Sequence, residues 1–366
     1  MHILVTTDTV GGVWTYTREL ACGLLDRGHQ VTLVSFGAIP KQGQTLWLSH
    51  KNLTYHSTDY PLEWMDDSQA GIEASAEHLA GIIRTARPDI LHLNQFCYGA
   101  LDCDIPKVVV AHSDVLSWWS AVHGADPPRS PWLEWYVGVV SRGLIGADAV
   151  VAPSRWMLDT LRAFYQLPSQ CSVIYNGRSE ALFRAGERKS ECVLSVGRIW
   201  DEAKQVQLLL QCKSEVPVKI AGSLRHPGEN SDAILPTLPA SNFSLYGEQD
   251  ENQLRELYAD SATYVATSRY EPFGLAPVEA ALSRCALLVN DIPVFHELWG
   301  DAAFYFDRNN AESLADAVRL LSEFPYLRQL LGDLAYERAR QRFESARMVA
   351  EYENLYSTLT GRSECA

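Results

Sequence analysis

The 366-residue chain has no run of eighteen apolar residues, and so no sequence segment suited to crossing a bilayer as a helix. It also lacks the basic flank and apolar core of a secretion signal, because Met1-His2 leads at once into strand-like sequence. A cytoplasmic protein is expected. Basic residues are in deficit: 31 Lys and Arg against 45 Asp and Glu leave a formal net charge of −14, with no basic stripe. Nucleic-acid binders concentrate cations to displace phosphate counterions, so this balance weighs against such partners. The eight cysteines, at 22, 97, 103, 171, 192, 212, 285 and 365, show no paired spacing suited to zinc or a redox couple, and scattered reduced thiols are expected. Internal repeats and low-complexity tracts are missing. So is the Gly-x-Gly-x-x-Gly fingerprint of dinucleotide sites, since the first loop reads Thr7-Asp8-Thr9-Val10-Gly11-Gly12-Val13-Trp14.

What remains is an ordinary globular composition, 47% hydrophobic and 21% charged. At this length it suits two domains with a cleft between them. Strand and helix patterns alternate. Residues 2–7 read as a strand, 14–27 as an amphipathic helix and 30–36 as the next strand after a Gly28-His29 turn. Further strands are expected at 90–93, 107–111, 149–152 and 173–174, which makes a parallel sheet wound on both faces. Asn176-Gly177 forms a turn, and the charged stretch to Ser190 reads as a link, so the domains are 1–176, a 177–190 linker and 191–344. The second domain repeats the α/β pattern, with strands near 192–197, 218–222, 242–246, 262–267, 286–289 and 303–305. Amphipathic helices follow from Ala311.

The most informative stretch is Arg269 to Arg284, Arg-Tyr-Glu-Pro-Phe-Gly-Leu-Ala-Pro-Val-Glu-Ala-Ala-Leu-Ser-Arg. An apolar strand precedes it, and Pro277 with its fixed φ suits the first turn of a helix. The unpaired amides and positive dipole end of that helix favour a phosphate or diphosphate against Gly274, Leu275 and Ala276. Glycine at 274 lets the backbone come close. Glu271 lies before the turn and Glu279 one turn inside the helix, eight positions on. A carboxylate accepts from vicinal hydroxyls, which suits Glu271 to a hexose and Glu279 to a ribose. A glutamate in a first helical turn can equally serve the dipole alone.

This stretch resembles the carboxy-terminal signature of the retaining glycosyltransferases of family 4, of the GT-B fold. A second stretch supports the resemblance: a buried strand at 192–197, then Arg198, Ile-Trp-Asp-Glu-Ala, Lys204 and an apolar helix around 206–210. The family places an arginine and a lysine there, both on the diphosphate, where fixed cations stabilise the departing β-phosphate. Gln205 departs from the family's usual glycine. The resemblance implies two doubly wound α/β domains, with a last helix, 345–366, crossing back onto the first. It also implies that Gly11 and Gly12 line the donor phosphate and acceptor, and that His112, at the end of the 107–111 strand, contacts the donor sugar. Catalytic roles then fall to His112, Arg198, Lys204 and Glu271. Donor contacts fall to these and to Phe273, Gly274, Leu275, Ala276, Glu279, Gly222, Tyr246 and Gly247, the last three lying in loops that read base and sugar.

A nucleoside-diphosphate sugar, UDP by default, is the implied donor, transferred with retention and with no metal or other cofactor. Asp102-Cys103-Asp104 imitates a metal-binding aspartate pair but enters a strand instead of leaving one. The helix expected at 67–87 carries few basic residues, so a soluble saccharide or small acceptor is expected over a lipid. An aromatic-rich loop holding Trp118, Trp119 and Trp132, with Asp114 before it, reads either as acceptor pocket or as core filler. A nucleotide-sugar epimerase, a pyridoxal-dependent phosphorylase and a non-catalytic nucleotide-binding module are the rival readings.

Overall fold

A computed structural model describes residues 1–40, 42–225, 238 and 240–361. Cys365 and the end of the expected 345–366 helix lie outside the described residues. The strands are β1 (His2–Asp8), β2 (Gln30–Phe36), β3 (Leu53–Ser57), β4 (Ile90–Leu93), β5 (Lys107–Val110), β6 (Ala149–Ala152), β7 (Cys171–Val173), β8 (Ser190–Val196), β9 (Val218–Ala221), β10 (Phe243–Gly247), β11 (Ser261–Ala266), β12 (Ala286–Asn290) and β13 (Phe304–Phe306). The helices are α1 (Gly12–Asp26), α2 (Gln69–Ala86), α3 (Val115–His123), α4 (Pro131–Ile145), α5 (Arg155–Phe164), α6 (Val206–Gln211), α7 (Glu251–Asp260), α8 (Leu275–Leu282), α9 (Pro293–Trp299), α10 (Ala311–Glu323), α11 (Pro325–Arg342) and α12 (Ser345–Thr360).

The chain forms two compact units. One holds Met1–Ser120, Ala125–Gly177 and the residues from Ser345 on; the other holds Ala121–Gly124 and Arg178–Glu344. In the first unit a seven-stranded sheet has the order β3-β2-β1-β4-β5-β6-β7, and in the second a six-stranded sheet has the order β10-β9-β8-β11-β12-β13. All pairings are parallel. Parallel strands need crossovers, and in each sheet these run outward from the first strand through the next two, then return to its other side and run outward the opposite way. The reversal falls between β1 and β4 in one sheet and between β8 and β11 in the other, which is where such sheets open a crevice at the carboxyl ends of their strands.

Each sheet is buried on both faces, which is why its strands read as nearly continuous apolar runs. In the first unit one face packs α1 and α12 through Leu20, Leu24, Val349 and Tyr352, and the other packs α2, α4 and α5 through Leu79, Val140 and Leu158. The α1–α12 contact is close: a Cβ on Gly23 would lie 2.5 Å from Val349. Arg27 and His29 both pair with Glu353 there. Core histidine His92 takes hydroxyl contacts on both ring nitrogens, from Tyr356 at 2.7 Å and Tyr16 at 3.2 Å.

Three readings of the sequence change. Strand β3 escapes a pattern search because Leu-Thr-Tyr-His-Ser is a partly exposed edge with little apolar content. The aromatic-rich stretch is not one loop but α3 and α4, since Pro131 takes the first position of α4, where its missing N–H costs nothing, and Ser130 caps the helix by accepting from Leu133 N at 3.1 Å. The charged stretch after Gly177 is packed into the second unit: Arg178 N donates to Phe343 O at 2.9 Å, and the Arg178 side chain is 1% exposed.

Glycine at 222 closes the ends of the second sheet. It has φ +151°, its N–H donates to Gly247 O at 2.8 Å, and a Cβ there would sit 1.7 Å from Gly197 O. Gly247, at φ +67°, has open space around a notional Cβ. Gly222→Ala is therefore expected to cost about 3 kcal/mol or more through backbone displacement, against about 1 kcal/mol for Gly247→Ala, where only the left-handed backbone resists. Denaturant midpoints of the two variants decide this; equal losses would contradict it.

Candidate active site

In the second unit the predicted residues gather at the crevice between β8 and β11. A small cavity there is lined by Gly197 at the end of β8, by Thr267 and Ser268 after β11, and by Lys204 and Glu271. The Lys204 ammonium forms a short contact with Glu271 Oε2, and the same oxygen accepts from Ser268 Oγ at 3.0 Å. Gly274 has φ +89° and forms the N-cap of α8 without a side-chain cap bond. A Cβ on it would come within 2.9 Å of Glu271 Cγ, so glycine lets the Glu271 side chain fold across the turn. Leu275 and Ala276 follow at the partly exposed helix start, where amides lack intrahelical partners.

Arg198 is built differently. Its side chain is 39% exposed, lies over the Trp200 ring at 5.2 Å and donates to Asp201 Oδ2 at 2.6 Å. Asp201 also caps the short turn holding Lys204, accepting from Ala203 N at 2.9 Å. Burial alone would raise the Asp201 carboxyl, but Arg198 and Lys204 outweigh it and hold the group below its ordinary value. One buried carboxylate thus holds the Arg198 head and the backbone turn that carries Lys204. Sequence reasoning missed it, although an aspartate two residues before an N–H it caps is a readable signal.

Gln205, in the place of the family's glycine, keeps the course a glycine would take: it sits in the left-handed region at φ 49°. The strain is offset by its amide. With the nitrogen turned toward Thr267 O and Asn309 Oδ1, both at 2.9 Å, the oxygen accepts from Arg269 at 3.0 and 3.1 Å.

The remaining residues expected to meet a donor divide. Glu279 is 9% exposed and ion-paired at 3.0 Å with Nε of Arg178, a residue to which sequence reasoning gave no role. Removing one partner of a buried pair of this kind costs about 3–5 kcal/mol. Phe273 turns into the core, 3% exposed and edge-on to Phe343 at 5.3 Å, so any ligand contact it makes must come through its backbone. Tyr246 is 40% exposed, beside Gly247.

The first unit assembles its own candidates around its β1–β4 crevice. Gly11, at φ 86°, is the exposed N-cap of α1, and Gly12 begins that helix. His112, just past β5, has Nε2 2.8 Å from Asn94 Oδ1, which makes Nε2 the protonated nitrogen; Asn94 in turn donates to Thr6 O at 2.6 Å. The Tyr16 ring stands edge-on to His112 at 4.6 Å. Burial pushes the His112 pKa down to about 3 and does the same to His92, so both imidazoles are neutral near pH 7. Asp114 accepts from Leu116 N at 2.9 Å and Ser117 N at 3.2 Å at the start of α3, the bonding of a helix cap. Trp132 stacks on Tyr136 at 5.6 Å and donates to Met65 O at 3.1 Å, half-buried against the edge of the core, and Trp118 and Trp119 are half-buried on α3.

Two family descriptions cover nearly the whole chain: Glycosyltransferase Family 4 matches residues 10–181, and Glycosyl transferases group 1 matches residues 179–338. The chain is a family 4 glycosyltransferase of the GT-B fold. Among its relatives is the O-antigen chain mannosyltransferase RfbU of Salmonella typhimurium, 26% identical over 182 residues, a match spanning 48% of this chain and only 51% of that protein. The α-maltose-1-phosphate synthase of Mycobacterium tuberculosis is 26% identical over 288 residues, 69% of this chain and 73% of that one. Among solved structures, Anabaena Alr3699/HepE in complex with UDP-glucose superposes with a TM-score of 0.75 at 18% identity, covering 98% of this chain and all of that one. Among the described residues no helix of the glycosyltransferase is long and apolar enough to cross a membrane.

The neutral His112 has a measurable consequence for the enzyme. Its folded pKa of about 3 lies below its ordinary 6.5, so between those values the unfolded chain binds a proton that the folded one refuses, and stability falls as pH falls through that window. His112→Asn keeps a polar side chain without the titration. From pH 7 to pH 4.5 the wild type is expected to lose more stability than the variant, on the order of 1 kcal/mol per pH unit. Parallel loss in denaturant titrations would show that His112 is not held neutral.

Proposed function

We propose that this glycosyltransferase moves a hexose from UDP to a hydroxyl of a soluble acceptor, with retention of configuration and without a metal ion. The observation carrying this reading is the second-unit crevice, where Lys204 and Glu271 meet beside the open helix start at Gly274. An ammonium with three donors can keep one on Glu271 and offer the others to a diphosphate. The amides of Gly274, Leu275 and Ala276 supply neutral donors and a positive dipole end to the same anion. Arg198, oriented by Asp201, adds a second cation for the charge that grows on the β-phosphate. UDP is favoured over other nucleotides by the likeness to the UDP-glucose-bound HepE structure. A soluble acceptor is supported by the maltose-1-phosphate synthase relative and by the scarcity of cations on α2.

In the proposed reaction the bond from the anomeric carbon to the β-phosphate oxygen breaks and a bond to the acceptor oxygen forms on the same face. The acceptor proton passes to the departing phosphate oxygen. UDP and the glycoside are the products. Glu271 is already tied to Lys204 and Ser268, which suits it to holding sugar hydroxyls rather than attacking carbon. The neutral His112 of the first unit is assigned to hydrogen bonding with the sugar, in keeping with an imidazole that does not take up a proton near pH 7.

Thermal shift with UDP, GDP, ADP and dTDP is expected to show the largest rise for UDP. Released nucleoside diphosphate, measured with UDP-sugars and an acceptor panel, reports transfer. Glu271→Ala is expected to lose at least about a hundredfold in kcat with nucleotide affinity little changed, and Glu279→Ala to weaken UDP by about tenfold, ~1.4 kcal/mol. Transfer unaffected by chelator is also expected. Full activity in both variants, dependence on added Mg²⁺ or Mn²⁺, or sugar isomerisation without acceptor would each overturn the corresponding part of this reading.

A further inference from the structure

Arg178 opens the long segment of the second unit, Arg178–Glu344, and its backbone is clamped. Its N–H donates to Phe343 O at 2.9 Å, and it forms a parallel bridge with Glu344. The guanidinium is thereby aimed inward, where its Nε lies 3.0 Å from Glu279 Oε1 and its Nη2 donates to Glu251 Oε1 at 2.9 Å. Glu251 is shared with Arg255 at 3.0 Å, and the Phe183 ring lies under both guanidinium groups, 5.1 Å from Arg178 and 5.9 Å from Arg255. Tyr258, fully buried and edge-on to Phe183 at 6.4 Å, has its phenol pushed well above its ordinary value by burial first and then by the charge of Glu279. Glu279 therefore projects from the first turns of α8 into a frame of one fixed cation and one buried phenol. A planar guanidinium held at both its backbone and its far nitrogens restricts a carboxylate far more than a solvated lysine would.

We propose that Arg178 is a positioning residue for nucleotide recognition: it holds one oxygen of Glu279 so that the carboxylate keeps a single orientation toward the vicinal hydroxyls of the ribose. This rests on the function proposed above, together with the sequence expectation that Glu279 meets the ribose. A carboxylate free to rotate loses the paired geometry that tells a ribose from a sugar without its hydroxyls. Arg178 thus acts through Glu279 and touches no substrate itself.

The test compares Kd for UDP and for 2′,3′-dideoxy-UDP, by calorimetry, in the wild type, Arg178→Met, Arg178→Lys, Glu279→Ala and the Arg178→Met/Glu279→Ala double variant. The wild type is expected to favour UDP by about tenfold or more. Arg178→Met should bring that preference to within about twofold by weakening UDP and leaving the dideoxy compound unchanged. Arg178→Lys should fall between, and the double variant should bind UDP no worse than Glu279→Ala alone. If Arg178→Met does not fold, the ratio in Arg178→Lys decides: a preference equal to the wild type's overturns the assignment. Equal weakening of both ligands in either variant also overturns it, since that is what a merely structural role would produce. A wild type that binds no nucleoside diphosphate would sink the functional reading itself, whereas a discriminating wild type with equally discriminating Arg178 variants sinks this inference alone.

Discussion

A parallel sheet wound on both faces leaves one gap where neighbouring crossovers depart in opposite directions, and the second unit puts its ionic chemistry there. The Lys204–Glu271 pair occupies that gap between β8 and β11. Around it the local structure is arranged to keep the pair in place: Gly274 folds the backbone away from Glu271, Ser268 holds the same carboxylate oxygen, and Thr267 binds the Lys204 carbonyl at 2.8 Å. Without the gap these two charges would have to be buried or dispersed on the surface. With it they are partly enclosed and still open to a ligand.

A second regularity follows. The chain carries a formal net charge of −14, yet it presents cations where an anionic ligand is proposed to bind. Arg198 is paired with Asp201 and Lys204 with Glu271, carboxylates of the same unit, and behind α8 the buried Arg178 is paired in the same way with Glu279. Paired in this way, the cations hold their geometry before any ligand arrives, and little reorganisation is left for the moment of binding. The first unit relies instead on neutral groups, with His112, Asn94 and Thr6 linked in one hydrogen-bonded chain.

Much of the site was legible because its residues lie close together in sequence. Residues 196–205 and 267–279 each form one strand end, one turn and one helix start, so their chemistry depends on local rules of capping, glycine placement and strand–helix handover. Asp201 follows the same local rules, since it caps the turn two residues on. Arg178 was not legible in this way. Its burial depends on Phe343 and Glu344, more than 160 positions away, and on the faces of α7 and α8, and a charged residue after Asn-Gly looks like loop surface until those elements are placed. The tryptophans were ambiguous for a related reason: aromatic side chains serve a core or a pocket equally well, and only packing against Tyr136 and Met65 shows where Trp132 goes.

By itself the sequence determined the α/β class, most strand positions and which charged residues lie beside the strand ends that form the β8–β11 crevice, because hydrophobic period, turn residues and helix-start chemistry act over a few neighbouring positions. Tertiary structure alone decided which carboxylate each cation meets, that Gln205 could replace a glycine by anchoring its amide, that His112 is held neutral, and that Arg178 is buried against Glu279. Those outcomes depend on distances between groups far apart in the chain and on how much water the fold removes around them, and neither quantity exists until the sheets and helices have packed.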